Sequence, residues 1–78
     1  MDRLLQQQIG ERIRTAREAV KLRQEDVAAQ MNVNRVTVTN WEMGNSTPHM
    51  TQIPQLAAIL QVSILFFFEE DRPKEGKG

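Results

Sequence analysis

Between Arg23 and Gly44 the chain reads RQEDVAAQMNVNRVTVTNWEMG. Val27, Ala28 and Met31, and then Val38 and Trp41, recur at the helical period of about 3.6 residues. Only Asn32, Val33 and Asn34 stand between the two runs. The pattern predicts two short helices, Gln24–Met31 and Arg35–Met43, joined by a tight turn. Asn32 tolerates the left-handed backbone that stops the first helix. Val33 turns inward, and the Asn34 side chain suits the N-cap of the second helix. Glu25 and Asp26 sit at the positive end of the first helix, and Gly44 ends the second.

The rest of the sequence is patterned to pack around this pair. Leu5, Ile9, Ile13, Ala16 and Val20 are spaced by four, four, three and four, which predicts a first helix over about Leu4–Val20. Gly10 costs that helix up to about 1 kcal/mol, which points to close packing there. Asn45-Ser46-Thr47-Pro48 is a loop by composition. Ile53, Leu56, Ala57 and Leu60 predict a fourth helix near Gln52–Leu60, with Thr51 as its cap and Pro54 in its first turn. Ser63 is expected to cap a fifth over Ile64–Glu69, turning Ile64, Phe67 and Phe68 inward and Leu65 and Phe66 outward. With 78 residues there is room for one domain, and a chain this short buries only about 60% of its unfolded surface. The expectation is all-α: a compact five-helix bundle over residues 1–70, then a polar, disordered tail over 71–78.

No cysteine is present, which removes disulfides, thiolate zinc sites and cysteine nucleophiles together and fits a reducing cytoplasm. MDRLLQQQIG lacks the apolar stretch of a signal peptide. No apolar run, Ile64–Phe68 included, exceeds five residues, against the roughly 20 that span a bilayer. His49 follows Pro48 in a loop with no companion ligand or base, and is read as a surface histidine. Paired catalytic carboxylates, a nucleophile with its base and a glycine-rich phosphate loop are missing from the sequence, so no enzyme activity, metal or cofactor is expected. Ten basic residues balance ten acidic ones. Arg12, Arg14, Arg17, Lys21, Arg23 and Arg35 lie in the first half, while Glu69, Glu70 and Asp71 sit together near the end. A local basic face is compatible with this balance, with weak non-specific affinity for polyanions. Arg12 and Arg14 are read as the solvated face of the first helix.

The functional signal lies on the second short helix. On a wheel of about 100° per residue, Val38 and Trp41 point one way with Glu42 beside them. Val36, Asn40 and Met43 point the other way, with Thr37 and Thr39 on the flanks and Arg35 at the N-terminal end. Trp41 is therefore core rather than a stacking platform. The outer face suits the edges of bases. Arginine pairs bidentately with guanine O6 and N7, asparagine with adenine N6 and N7, and a valine meets the thymine methyl group. Thr37 and Thr39 fit a phosphate or a base edge. Gln24 starts the preceding helix, where backbone amides and the dipole favour a phosphate, and its side chain is also placed to brace the second helix. The loop Asn45–Thr47 offers backbone and side-chain donors to a second phosphate.

These residues carry a family resemblance. QEDVA at 24–28, VNRVTVTNWE at 33–42, Gly44, Thr47-Pro48 and the QVS before the fifth helix make the stretch from Ile9 to Glu70 similar to the phage repressor and Cro-type helix-turn-helix regulators, the XRE-like family. The resemblance implies a lambda repressor-like bundle of five helices and a sequence-specific, major-groove-reading transcription regulator, a repressor before an activator. It implies a DNA-contacting set of Gln24, Arg35, Val36, Thr37, Thr39 and Asn40, to which Arg23 and Asn45 are added. It implies an ion pair between Arg17 and Glu42 that ties the first helix to the end of the third. It implies a homodimer, through Leu65 and Phe66, on a pseudo-palindromic double-stranded operator, in a bacterial or phage-encoded cytoplasmic protein. The sequence departs from the family at three points: Asn32 replaces the usual glycine, Arg23 the usual Ser or Thr cap, and Val36 a small or polar residue. Two other readings stand beside this one: an antitoxin or control subunit acting mainly through a protein partner, and the N-terminal module of a larger ligand-sensing regulator.

Overall fold

The computed structural model describes residues 3–69; the tail 71–78, expected to be disordered, lies outside the described residues. Four α-helices form in chain order: α1 (Arg3–Ala19), α2 (Gln24–Met31), α3 (Arg35–Met43) and α4 (Ile53–Leu60). A 3-10 turn, Met50–Gln52, leads into α4, and a 3-10 segment, Ile64–Phe68, follows it. The all-α architecture stands, but the fifth helix does not form as an α-helix. Five residues close few i→i−4 bonds, so the tighter i→i+3 turn is favoured there. It opens with the Phe66 amide donating to the Ser63 carbonyl at 3.1 Å, and the Ser63 side chain makes no cap bond.

The helix ends are set by backbone chirality. Asn32 adopts φ 60° and Gly44 φ 79°, closing α2 and α3 in the left-handed conformation. Lys21 and Gln61 take φ 62° and 63° after α1 and α4 without being glycine. Asn34 stands at the N-cap of α3 in an extended conformation, but its side chain makes no cap bond. The fourth helix starts one residue later than predicted; Thr51 lies inside the 3-10 turn, and Pro54 sits in the first turn of α4.

The core takes Ile9, Ile13 and Ala16 from α1, Val27, Ala28 and Met31 from α2, and Val38 and Trp41 from α3. Ile53, Leu56, Ala57 and Leu60 of α4 and Phe67 complete it. Leu5, Val20 and Val33 are half-buried at its margin. Near the C-terminal end the expected facing changes. Phe67 is buried, whereas Ile64 and Phe68 face outward and Phe66 packs half-buried against the core. The 3-10 period of about three residues brings only one of the five side chains fully inward. Phe66 is further covered by Arg12, whose guanidinium carbon lies 5.0 Å from the ring centre and whose Nη2 donates to the Glu69 carbonyl at 3.0 Å. Arg12 is therefore a clasp over the C-terminal segment rather than simply a solvated residue.

Gly10 fixes how α1 meets α3. A Cβ there would collide with the Trp41 carbonyl oxygen and stand 2.7 Å from that of Glu42. The two helices touch backbone to backbone, which sets the depth at which the last turn of α3 sits.

Candidate nucleic-acid interface

The inner side of α3 is anchored by polar groups as well as by Val38 and Trp41. Arg17 of α1 forms a bidentate pair with Glu42, Nε to Oε2 at 2.6 Å and Nη2 to Oε1 at 3.1 Å. The side chains are 12% and 4% exposed. The remaining reach of Arg17 goes to the Leu22 carbonyl at 2.8 Å, which ties down the α1–α2 connection. The hydrogen bond to Glu42 raises the Arg17 pKa above its already high ordinary value, so the cation persists at any working pH. Gln24, the first residue of α2, donates its Nε2 to Glu42 Oε1 at 3.0 Å and accepts from the Thr39 hydroxyl at 2.8 Å. One network thus joins α1, α2 and α3. It lies beside an open cleft of about 260 Å³ lined by Gln24, Thr39, Glu42 and Met43, with Arg14, Arg17 and Glu18 on its other wall.

The opposite side of α3 is left to solvent. Arg35 is exposed, and its guanidinium has no partner among the described residues. Val36 is 62% exposed, and Thr37 and Asn40 are half-buried. Asn40 Oδ1 receives the Asn45 side-chain amide at 3.5 Å, while its own amide group has no acceptor among the described residues. Met43 sits at the edge between this face and the cleft and is 64% exposed, although it is absent from the predicted contact set. Its wheel position beside Val36 and Asn40 already carried that signal.

Three expected contributors are differently placed. The Gln24 side chain is used at both ends by the network and acts as a brace rather than as a free donor. Arg23 turns its guanidinium to Glu25 at 3.0 Å and Asp26 at 3.3 Å. These pairs are exposed and screened by solvent, and a phosphate would have to displace them. In the loop after α3, the backbone amides of Asn45 and Ser46 donate to the Asn40 carbonyl at 2.9 and 3.4 Å. They close the helix end and are not free for phosphate; the Asn45 side chain remains exposed. His49 is exposed, and no group of three or more His, Cys, Asp or Glu among the described residues is placed to hold a metal.

This geometry, with a short helix, a three-residue turn and a braced second helix exposing its polar face, agrees with comparison to known proteins. The helix-turn-helix (HTH_3) family matches residues 13–67, most of the chain. The chain belongs to this family. This helix-turn-helix domain is 38% identical over 68 residues to the HTH-type transcriptional regulator DicA of Escherichia coli K12, covering 83% of the chain but 50% of DicA. It thus spans about half the length of that curated relative. In structure it is similar to the restriction-modification controller protein C.AhdI of Aeromonas hydrophila, with a TM-score of 0.73 and 29% identity. That match covers 80% of this chain and 94% of the controller. In the helix-turn-helix frame α2 is the first helix and α3 the second. Among the described residues no helix is long and apolar enough to cross a membrane.

Proposed function

We propose that the chain is a sequence-specific transcription regulator, a repressor, that lays α3 in the major groove of double-stranded DNA. The observation that carries the reading is the contrast between the two sides of α3. One side is locked by the Arg17–Glu42–Gln24–Thr39 network, and the other presents exposed Val36 together with Arg35 and the Asn40 amide group, which have no partner among the described residues. A helix held on one side and chemically unsatisfied on the other is suited to docking against base edges. Arg35 and Asn40 are assigned base contacts, and Val36 and Met43 apolar contact with thymine methyl groups. Thr37 and the side chains of Arg23 and Asn45 are assigned phosphate contacts that set register.

In-vitro selection of bound DNA, repeated with Arg35→Ala and Asn40→Ala, tests this. Each variant should lose about 1–3 kcal/mol of binding and relax one base position. Unchanged sequence preference in both would refute the assignment.

The domain is proposed to act as a homodimer on a pseudo-palindromic site, as a two-fold operator requires. Exposed Leu65 favours this, together with the exposed Met50, Ile64 and Phe68, rather than half-buried Phe66.

A further inference from the structure

The Thr39 hydroxyl has two protein acceptors within reach of its one proton. Its Oγ1 lies 2.8 Å from Gln24 Oε1 and 3.1 Å from the Arg35 carbonyl oxygen. Both neighbours are acceptors, so the single proton goes to one of them. The orientation of Gln24 is dictated in turn. Its Nε2 stands 3.0 Å from Glu42 Oε1, and a carboxylate in a bidentate pair with arginine only accepts. The Gln24 amide oxygen must therefore face Thr39. Turning the amide over would set its carbonyl against the Glu42 carboxylate and lose that bond, while the Thr39 contact would merely reverse, the hydroxyl proton passing to the Arg35 carbonyl. Polarity thus runs in one direction, from the buried Arg17–Glu42 pair through Gln24 to the hydroxyl on the flank of α3.

We infer that Thr39 is a specificity-determining residue that acts only as an acceptor. A threonine hydroxyl on DNA ordinarily serves as donor or acceptor, and so reads bases loosely. Here the network removes the donor role. The inference rests on the reading of α3 as a major-groove helix. In that groove Thr39 accepts from an exocyclic amine, adenine N6 or cytosine N4. It is mismatched to guanine O6, thymine O4 and phosphate, which are all acceptors. Gln24 and Glu42 are positioning residues for this selectivity, although neither needs to touch DNA.

Selection of bound DNA by the unmodified protein and by Thr39→Val locates the base pair whose preference depends on the hydroxyl. Thr39→Ala gives a second reading should the branched replacement disturb the helix. Two modified duplexes are then compared at that pair. One lacks the exocyclic amine (purine for adenine, or 2-pyrimidinone for cytosine), and the other lacks the keto oxygen (2-aminopurine for guanine, or 5-methyl-2-pyrimidinone for thymine). Deleting the amine should weaken the unmodified protein about fivefold, the share of one neutral hydrogen bond, and leave Thr39→Val unaffected. Deleting the keto oxygen should change neither, and Thr39→Ser should behave as the unmodified protein. A loss felt on keto deletion overturns the inference, as does Thr39→Val weakening all sequences alike. If Arg35→Ala and Asn40→Ala shift the preference while Thr39→Val does not, this inference alone falls. If none of the three shifts it, the placement of α3 in the groove falls with it.

Discussion

At the scale of single residues, Gly10 and the Arg17–Glu42 pair control how α3 is seated. Alanine at position 10 gains up to about 1 kcal/mol in helix propensity, but its Cβ drives into the carbonyl oxygens of Trp41 and Glu42. Neither carbonyl belongs to a flexible side chain, so the helices must part. Overpacking of this kind costs typically 1–3 kcal/mol, roughly. Gly10→Ala should therefore unfold at lower urea and bind DNA less tightly than the parent; equal or higher stability would refute the close-contact argument. Arg17 and Glu42 behave differently, because the loss of one charge strands the other. Arg17→Ala or Glu42→Ala should each cost about 3–5 kcal/mol, whereas replacing both with apolar residues should cost far less. Urea titrations of the two single variants and of Arg17→Met/Glu42→Leu measure this. Single losses under about 1 kcal/mol would mean that the pair is far better hydrated than its 12% and 4% exposures imply. The pairing joins positions 25 apart in sequence, so periodicity alone is silent about it; only the family resemblance points to it.

At the scale of elements, α2 and α3 were the most legible because both signals agreed: an apolar stripe and a left-handed stop at Asn32 and Gly44. The C-terminal segment was not, because a five-residue run fits a helical and a 3-10 turn equally well on composition. The two turns place Ile64, Phe66 and Phe68 on different sides. The start of α2 shows another limit. Arg23 has no acceptor with which to cap a helix, yet the turn is closed from the other end, by its backbone amide donating to Asp26 Oδ2 at 2.8 Å. That amide, with the Arg23 guanidinium, holds the Asp26 carboxyl below its ordinary pKa of 3.8. A depressed folded pKa means the contribution is complete above the ordinary value and fades as pH falls through 3.8 toward the lower folded value. Asp26→Asn should therefore be less stable than the parent at neutral pH, with the difference shrinking from about pH 5 downward. Urea midpoints across that range decide it; a constant difference would show that the carboxylate does not cap α2.

At the scale of the whole molecule, zero net charge has a structural counterpart. Arg14, Arg17 and Arg23 are each engaged by carboxylates, and Arg12 by Phe66 and the Glu69 carbonyl. The basic first half therefore does not give an open cationic face, and one domain has little bulk attraction for DNA. In the proposed dimer a second domain on the same site would compensate, since linking two weak contacts raises avidity by about 10²–10⁴. The surface that would join them is apolar and open: Met50 is 87% exposed, Leu65 69%, Ile64 43% and Phe68 42%. Met50, Ile64 and Phe68 border a single pocket with Ile53 and Pro54, so these three are not scattered, and Leu65 follows Ile64 in the chain. Contiguous apolar surface of this kind in a small domain marks an interface. Leu65→Glu should change folding stability by no more than about 0.5 kcal/mol, since the side chain makes few contacts within its own domain. It should nonetheless convert a dimer to a monomer in sedimentation velocity and weaken binding to a two-half-site operator by at least about 100-fold. On a duplex carrying one half-site the variant and the parent should bind alike. A parent protein that sediments as a monomer at high concentration, both free and on the full operator, would remove the dimer and leave the apolar face to another partner.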